Sequence, residues 1–355
     1  MKRFNQRYWL MGLLGLAFGL APANLFGDGG DAATGHALTL VELNCENLFD
    51  CDDDSLHNDN EWLPEAVRRW TPRKYWRKLN NIAQEIIACG EQPGKGWALP
   101  DLVALSEVEN DSVLTALTRR SLLRRAGYEY VMTDSPDERG IDVALLYSPF
   151  SFRLLRHHAL RVAPPEGRHA TRDVLYVAGE IATGDTLHVF VLHAPSRYRG
   201  ERASRPFRLK VAERVCLSVD SIRRHDPAPM ILVAGDFNAY AADSSLRYYE
   251  RHQLVNVSRA AKGLNGARGT YRFQGEWGSL DQILASQPLA VGLDSCYIFD
   301  APFLMEKDNR YGGLQPRRNY RGMRYNRGFS DHLPLVARFR LPQVQDESFH
   351  FSGTE

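Results

Sequence analysis

Met230-Ile-Leu-Val-Ala-Gly-Asp-Phe-Asn238 is a short apolar run closed by a glycine, an acid and an amide. A run apolar at successive positions reads as a strand covered on both faces. Asp236 and Asn238 then stand just past its C-terminal end. Working outward, the same arrangement recurs. Asn44 and Glu46 follow the strand candidate 37–43, Glu107 follows 102–105, and His193 follows 187–192. Asp281 lies in the strand candidate 280–285, and Asp331-His332 stands before 333–339. A further strand, 143–147, has Asp142 at its start. A single acid beside a strand is ordinarily a turn residue. Polar groups placed this way on so many strands are hard to explain as independent turns.

Helical stretches separate some of these strands. Thr71-Pro72 supplies an N-cap and a first helical position. Tyr75, Leu79, Ile82, Ala83, Ile86 and Ile87 form one apolar face, and Gly90 ends it. A second helix is predicted over 111–126, closed by Gly127. A third spans 204–224, with Pro206 early and Phe207, Val211, Val215 and Ile222 on one side. No linker, internal repeat or low-complexity block interrupts the alternation. The expectation is one α/β domain over 37–342 with a polar tail at 343–355.

The chain has 355 residues, 44% hydrophobic and 25% charged, which excludes wholesale disorder and collagen-like repeats. Lys plus Arg number 44 against 43 for Asp plus Glu, so a polybasic protein is excluded and a polyanion must meet a local basic patch. Lys2, Arg3 and Arg7, the apolar run from Trp9 to Leu20, and Ala21-Pro22-Ala23 read as a secretory signal peptide over 1–23. An uncleaved anchor is the alternative, but Pro22 and Asn24 interrupt the apolar span it needs. The expected location is secreted or periplasmic, with 24–36 as a flexible lead-in and no membrane span after cleavage. Five cysteines carry no CxxC spacing, so a zinc ribbon has no support. Cys45 and Cys51 either close a small loop or lie unpaired.

Leu105-Ser-Glu107, Gly235-Asp-Phe-Asn238 and Ser330-Asp-His332 together resemble the main motifs of the endonuclease/exonuclease/phosphatase family. Leu192-His-Ala-Pro-Ser-Arg197 is similar to the histidine-bearing strand end of its deoxyribonuclease branch, and Arg139-Gly-Ile-Asp-Val-Ala-Leu-Leu-Tyr147 resembles the strand before it in secreted bacterial members. The resemblance runs in order from about residue 38 to about residue 341. It implies a four-layer α/β sandwich, with two mixed β-sheets packed face to face and helices outside.

The resemblance and the chemistry of phosphoester hydrolysis together assign roles. A hard divalent ion, Mg²⁺ with Mn²⁺ as substitute, is expected at Glu107, Asn44 and Asp331. In Asn44-Cys45-Glu46-Asn47 either asparagine fits, and Asn44 lies nearer the strand end. His332 is expected to be the general base, neutral at rest and oriented by Asp281. Asp236 would position the water, Asn238 would bind a phosphate oxygen, and His193 would contact the phosphate or protonate the leaving group. Asp142 is expected to orient His193. Arg139, Arg197 and Arg199 are the expected substrate contacts. A second arginine cluster, Arg317, Arg318, Arg321, Arg324 and Arg327, is interleaved with Tyr320 and Tyr325 and suits a phosphate backbone. The expected activity is that of a metal-dependent phosphoesterase, foremost a monomeric secreted nuclease with no stable protein partner. The alternatives are an enzyme for a lipid head group, inositol phosphate or other small phosphoester, and an inactive binding module.

Overall fold

Leu232 and Ala234 face one buried side of their strand, while Ile231 and Val233 face the other. Val189 and Val191 alternate with Phe190 and Leu192 in the same way. Strands apolar on both faces need cover on both, which is what a layered α/β fold supplies. The computed structural model describes residues 36–92, 96–167, 169–197 and 200–341. The expected signal peptide, residues 24–35 of the lead-in, the tail at 343–355 and Arg199 lie outside the described residues.

Two six-stranded mixed sheets form the centre. Their strands are β1 (Ala37–Leu48), β2 (Leu102–Val108), β3 (Glu129–Met132), β4 (Asp142–Tyr147), β5 (Phe152–Leu160), β6 (Val174–Ile181), β7 (Thr186–His193), β8 (Met230–Asp236), β9 (Leu254–Asn256), β10 (Asp281–Ser286), β11 (Leu293–Ile298) and β12 (Leu335–Arg340). The first sheet runs β11-β12-β1-β2-β4-β3 and the second β5-β6-β7-β8-β10-β9. Each is built on one parallel pair, β1 with β2 and β7 with β8, and every other pairing is antiparallel. The two sheets therefore share one plan, a structural repeat that the sequence does not betray.

The inner faces of both sheets enclose the larger core. Helix α1 (Pro72–Ala88) covers the first sheet with Leu79, Ile82, Ala83 and Ile86. Helix α3 (Glu201–Arg223) covers the second with Val211, Val215 and Val219, beside α4 (Ser244–Arg251). This is the expected four-layer sandwich. The expected helix over 111–126 is broken. Helix α2 (Asp111–Thr115) passes into a wide turn at Ala116–Arg120 and then a 3₁₀ turn at Leu122–Arg125. Ser121 is extended there, and its hydroxyl bonds Leu117 O and accepts from Leu123 N, competing with the helical ladder. All five cysteines are free, so Cys45 and Cys51 form no bridge. No helix among the described residues is long and apolar enough to cross a membrane.

Candidate active site

Gly235 lies at φ 145°, and a Cβ there would meet Leu192 O at 1.8 Å. Glycine thus lets β8 approach β7 closely just before Asp236. Register then sets Asp236 opposite His193 on one side and Asp281 on the other. Asn44, at the end of the parallel pair of the first sheet, donates through Nδ2 to Asp236 Oδ2 at 3.2 Å and ties the two sheets together. Asn238 completes the cluster: its backbone N–H donates to Asp236 Oδ1 at 2.8 Å, and its amide donates to Asp236 Oδ2 at 3.1 Å and to Ala194 O at 3.0 Å. Glu46, Asn47, Glu107 and Asn238 all have φ between 47° and 59°. Non-glycine residues in this region carry strain that the surroundings must hold, and such strain gathers at functional sites.

His332 Nδ1 lies 2.8 and 3.0 Å from the two Asp281 oxygens. Asp281 also accepts from Thr270 Oγ1, and the Tyr271 ring packs on the imidazole at 4.8 Å between centroids. Ser330 Oγ accepts from His332 N at 3.1 Å and donates to Asn44 O at 2.6 Å, which fixes the Ser-Asp-His turn against β1. Burial alone would lower the His332 pKa, but Asp281, Asp236 and Asp331 outweigh it and hold the imidazole well above its ordinary value. The expectation of a neutral resting imidazole is corrected accordingly: three surrounding carboxylates favour the charged form. Burial, and then the nearby Asp281, push Asp236 up to about 7.

His193 is placed in the cluster, with Nε2 3.5 Å from Asp236 Oδ2 and 3.9 Å from Glu107 Oε1. Burial, followed by Arg172 and Arg139, holds it well below the ordinary histidine value. The expected pair of Asp142 with His193 is not made. Asp142 accepts instead from Thr133 Oγ1 at 2.5 Å and Ser135 N at 3.3 Å, and among the described residues His193 Nδ1 has no hydrogen-bond partner. The shared sheet plan explains the misreading. β4 occupies in the first sheet the place that β10 occupies in the second, so Asp142 with Thr133 repeats Asp281 with Thr270, without a histidine.

The residues expected at the metal each have partners of their own. Glu107 Oε2 accepts from Asn47 N at 2.9 Å. Asn44 Oδ1 accepts from Glu46 N at 2.9 Å. Asp331 is ion-paired with Arg318 at 2.7 Å. Burial would raise the Asp331 carboxyl, but Arg318 and then His332 outweigh it and keep it below the ordinary range. Among the described residues, the set of three acid or histidine side chains with ligand atoms within 4.8 Å of one another is Asp236, Asp281 and His332. Glu46 shares Arg318 with Asp331: it accepts from Asn319 N at 2.6 Å and faces Arg318 Nε at 3.4 Å. Asn47 stands at the rim, where its Oδ1 accepts from Arg139. Arg139 lies 3.9 Å from Glu107. Arg197 is engaged by Asp243 at 2.9 Å and Glu201 at 3.0 Å, so it is not a free cation waiting for substrate.

A sequence profile of the endonuclease/exonuclease/phosphatase family matches residues 39–340. The chain belongs to that family. No curated protein matches its sequence. Among solved structures, a family protein from Bacteroides thetaiotaomicron is 16% identical at a TM-score of 0.57, covering 86% of this chain and 98% of its own. The mannosyl-6-phosphatase of the same species is 17% identical at 0.55, covering 84% and 98%. TDP2 from Caenorhabditis elegans is 16% identical at 0.52, covering 86% and 75%. These likenesses are likenesses of fold. For this family member, sequence reading overlooked Thr270, Tyr271 and the siting of Arg318. Thr270 and Arg318 come from loops with no strand-end signature, and Tyr271 opens the short strand Tyr271–Phe273.

Proposed function

We propose that this family member hydrolyses phosphodiester bonds by in-line attack of water, with nucleic acid as substrate. The observation that carries the reading is the buried Asp281–His332 pair set against Asp236 and Asn44 at the junction of the two sheets. His332 takes the proton of the attacking water once its own proton has left, and Asp281 holds Nδ1 so that the other ring nitrogen does the work. Asp236 and Asn238 orient the water and a phosphate oxygen. His193, held neutral, is poised to bond the phosphate or the leaving oxygen.

The donor set fits a hard divalent cation. Glu107, Asp236, Asp281 and Asp331 crowd the cleft with oxygen ligands, and burial followed by the Asp281 charge raises the Asp236 carboxyl. Mg²⁺, with Mn²⁺ as substitute, would be held by Glu107 and Asn44, joined by Asp331 where Arg318 releases it. Such an ion supplies charge neutralisation on the phosphoryl oxygens and the leaving group. The leader-like pattern of residues 1–23 supports a secreted or periplasmic location, and we read the protein as a monomer that needs no partner.

Hydrolysis of a small phosphomonoester is the second reading, favoured by one observation. Arg139 and Arg318 flank the acid cluster and suit a terminal phosphate of double charge. Incubation with plasmid DNA, RNA, sphingomyelin and sugar phosphates, with Mg²⁺ or with chelator, tests the choice. Metal-dependent cleavage of nucleic acid is expected. Turnover of a sugar phosphate or sphingomyelin alone would overturn the nuclease reading.

A further inference from the structure

Arg73 and Lys74 occupy the first turn of α1, where the helix dipole disfavours cations, and no acid balances them there. Arg77 follows one turn on. The segment that leads into the Ser-Asp-His turn brings Arg327 to the same place, and Arg324 stands on the short strand Arg324–Tyr325 beside it. The two elements touch directly, because Asn81 Nδ2 donates to Gly328 O at 2.5 Å and Lys78 Nζ donates to Phe329 O. Tyr325 lies between them. Lys74 Nζ is 4.8 Å from its ring centroid, and the charges acting on its hydroxyl are Arg77, Arg327 and Arg73.

The arginines of this segment divide into two kinds. Arg318 is held by Asp331 and Arg321 by Glu306. Arg73, Arg324 and Arg327 are exposed and Arg77 is half-buried, and among the described residues none of the four has a carboxylate partner. Cations gathered without counter-charge repel one another, and a polyanion relieves that repulsion. Three residues beyond Arg327 the chain enters Ser330-Asp331-His332, so the strip and the His332 turn belong to one continuous segment.

We infer that Arg73, Arg77, Arg324 and Arg327 bind the phosphodiester backbone of a nucleic-acid strand outside the cleft, without regard to base sequence. The inference rests on the nuclease reading of the site. A scissile phosphate in a polymer has charged neighbours on its own strand, and a row of unpaired guanidinium forks is the chemistry that holds them.

The test uses the full chain carrying His332→Ala, so that the strand is not consumed. Binding of a fluorescent single-stranded oligonucleotide is followed by anisotropy across a salt series. Each phosphate contact on a single strand contributes about −0.7 to the slope of log affinity against log salt. Replacing the four arginines by glutamine should make the slope shallower by about 2 to 3 and weaken low-salt binding by about tenfold or more. Lysine at the same four positions should restore most of the slope. Should the fourfold glutamine variant melt early, Arg324→Gln with Arg327→Gln alone should still remove about 1.4 from the slope. A slope equal to the parent's in the glutamine variants, or a parent with no salt-dependent binding, overturns the strip. Cleavage by the wild-type chain reads the other claim separately. A strand that is bound through the strip yet never cut overturns the nuclease reading and leaves the strip standing.

Discussion

Asp281 receives Thr270 Oγ1 and faces His332 Nδ1 with both oxygens, so its charge is spent on the imidazole. Removing that charge should lower the His332 pKa toward its ordinary value. A base works only after its proton has left, so kcat of the wild type should rise with pH through the raised value. The rising limb of Asp281→Asn should lie at lower pH, on a much lower plateau. A pH–rate profile checks both, and a limb that does not move would show that Asp281 does not act on His332. Arg197 makes the opposite case. Its ion pairs with Asp243 and Glu201 predict that Arg197→Gln leaves the salt dependence of nucleic-acid binding unchanged and lowers the melting temperature instead. Gly-Asp-Phe-Asn and Ser-Asp-His were legible in the sequence because each motif is contiguous and abuts its strand. Arg318 and Thr270 were not, since their roles arise only when loops distant in sequence fold back onto Asp331 and Asp281.

At the scale of elements, the close approach of β7 and β8 depends on one missing side chain. Gly235→Ala would place a methyl group at 1.8 Å from Leu192 O. The backbone must move, and the expected loss is about 3 kcal/mol or more, with Asp236 displaced from His193 and activity lost alongside. Chemical denaturation measures the stability, and an alanine variant as stable and active as wild type would contradict the account. Continuously apolar strands such as β8 were legible because both faces are covered. β5 was not, because Arg153, Arg156, His157 and His158 are not buried on an edge strand of the second sheet. The broken helix after Asp111 shows the limit of periodicity, since the apolar pattern continues while Ser121 hydrogen-bonds the ladder apart.

At the scale of the molecule, burial gives this protein several acids with raised pKa values. Asp236 and Glu46 stand at about 7, and Glu85 and Glu109 at about 8, desolvation being the largest cause for each. The folded state therefore binds more protons than the unfolded state up to about pH 8, and stability falls as pH rises through those values. Without divalent ions the melting temperature should drop between about pH 6.5 and about pH 8.5, and Mg²⁺ at the higher pH should recover part of the loss. A melting temperature that rises over that interval without metal would contradict the acid assignments. The two-sheet plan was legible from the family motifs and their order. The repeat between the sheets was not, because it lives in strand order and pairing, which the sequence does not display.

The account stands most directly on His332 as the base. Turnover of nucleic acid and a melting curve, measured on one sample of His332→Ala, decide it. The account predicts a kcat lower by roughly 10²–10⁴-fold in a protein that remains folded, with Asp281→Asn adding little in the double variant because the pair acts as a unit. Near-normal kcat in folded His332→Ala would contradict it.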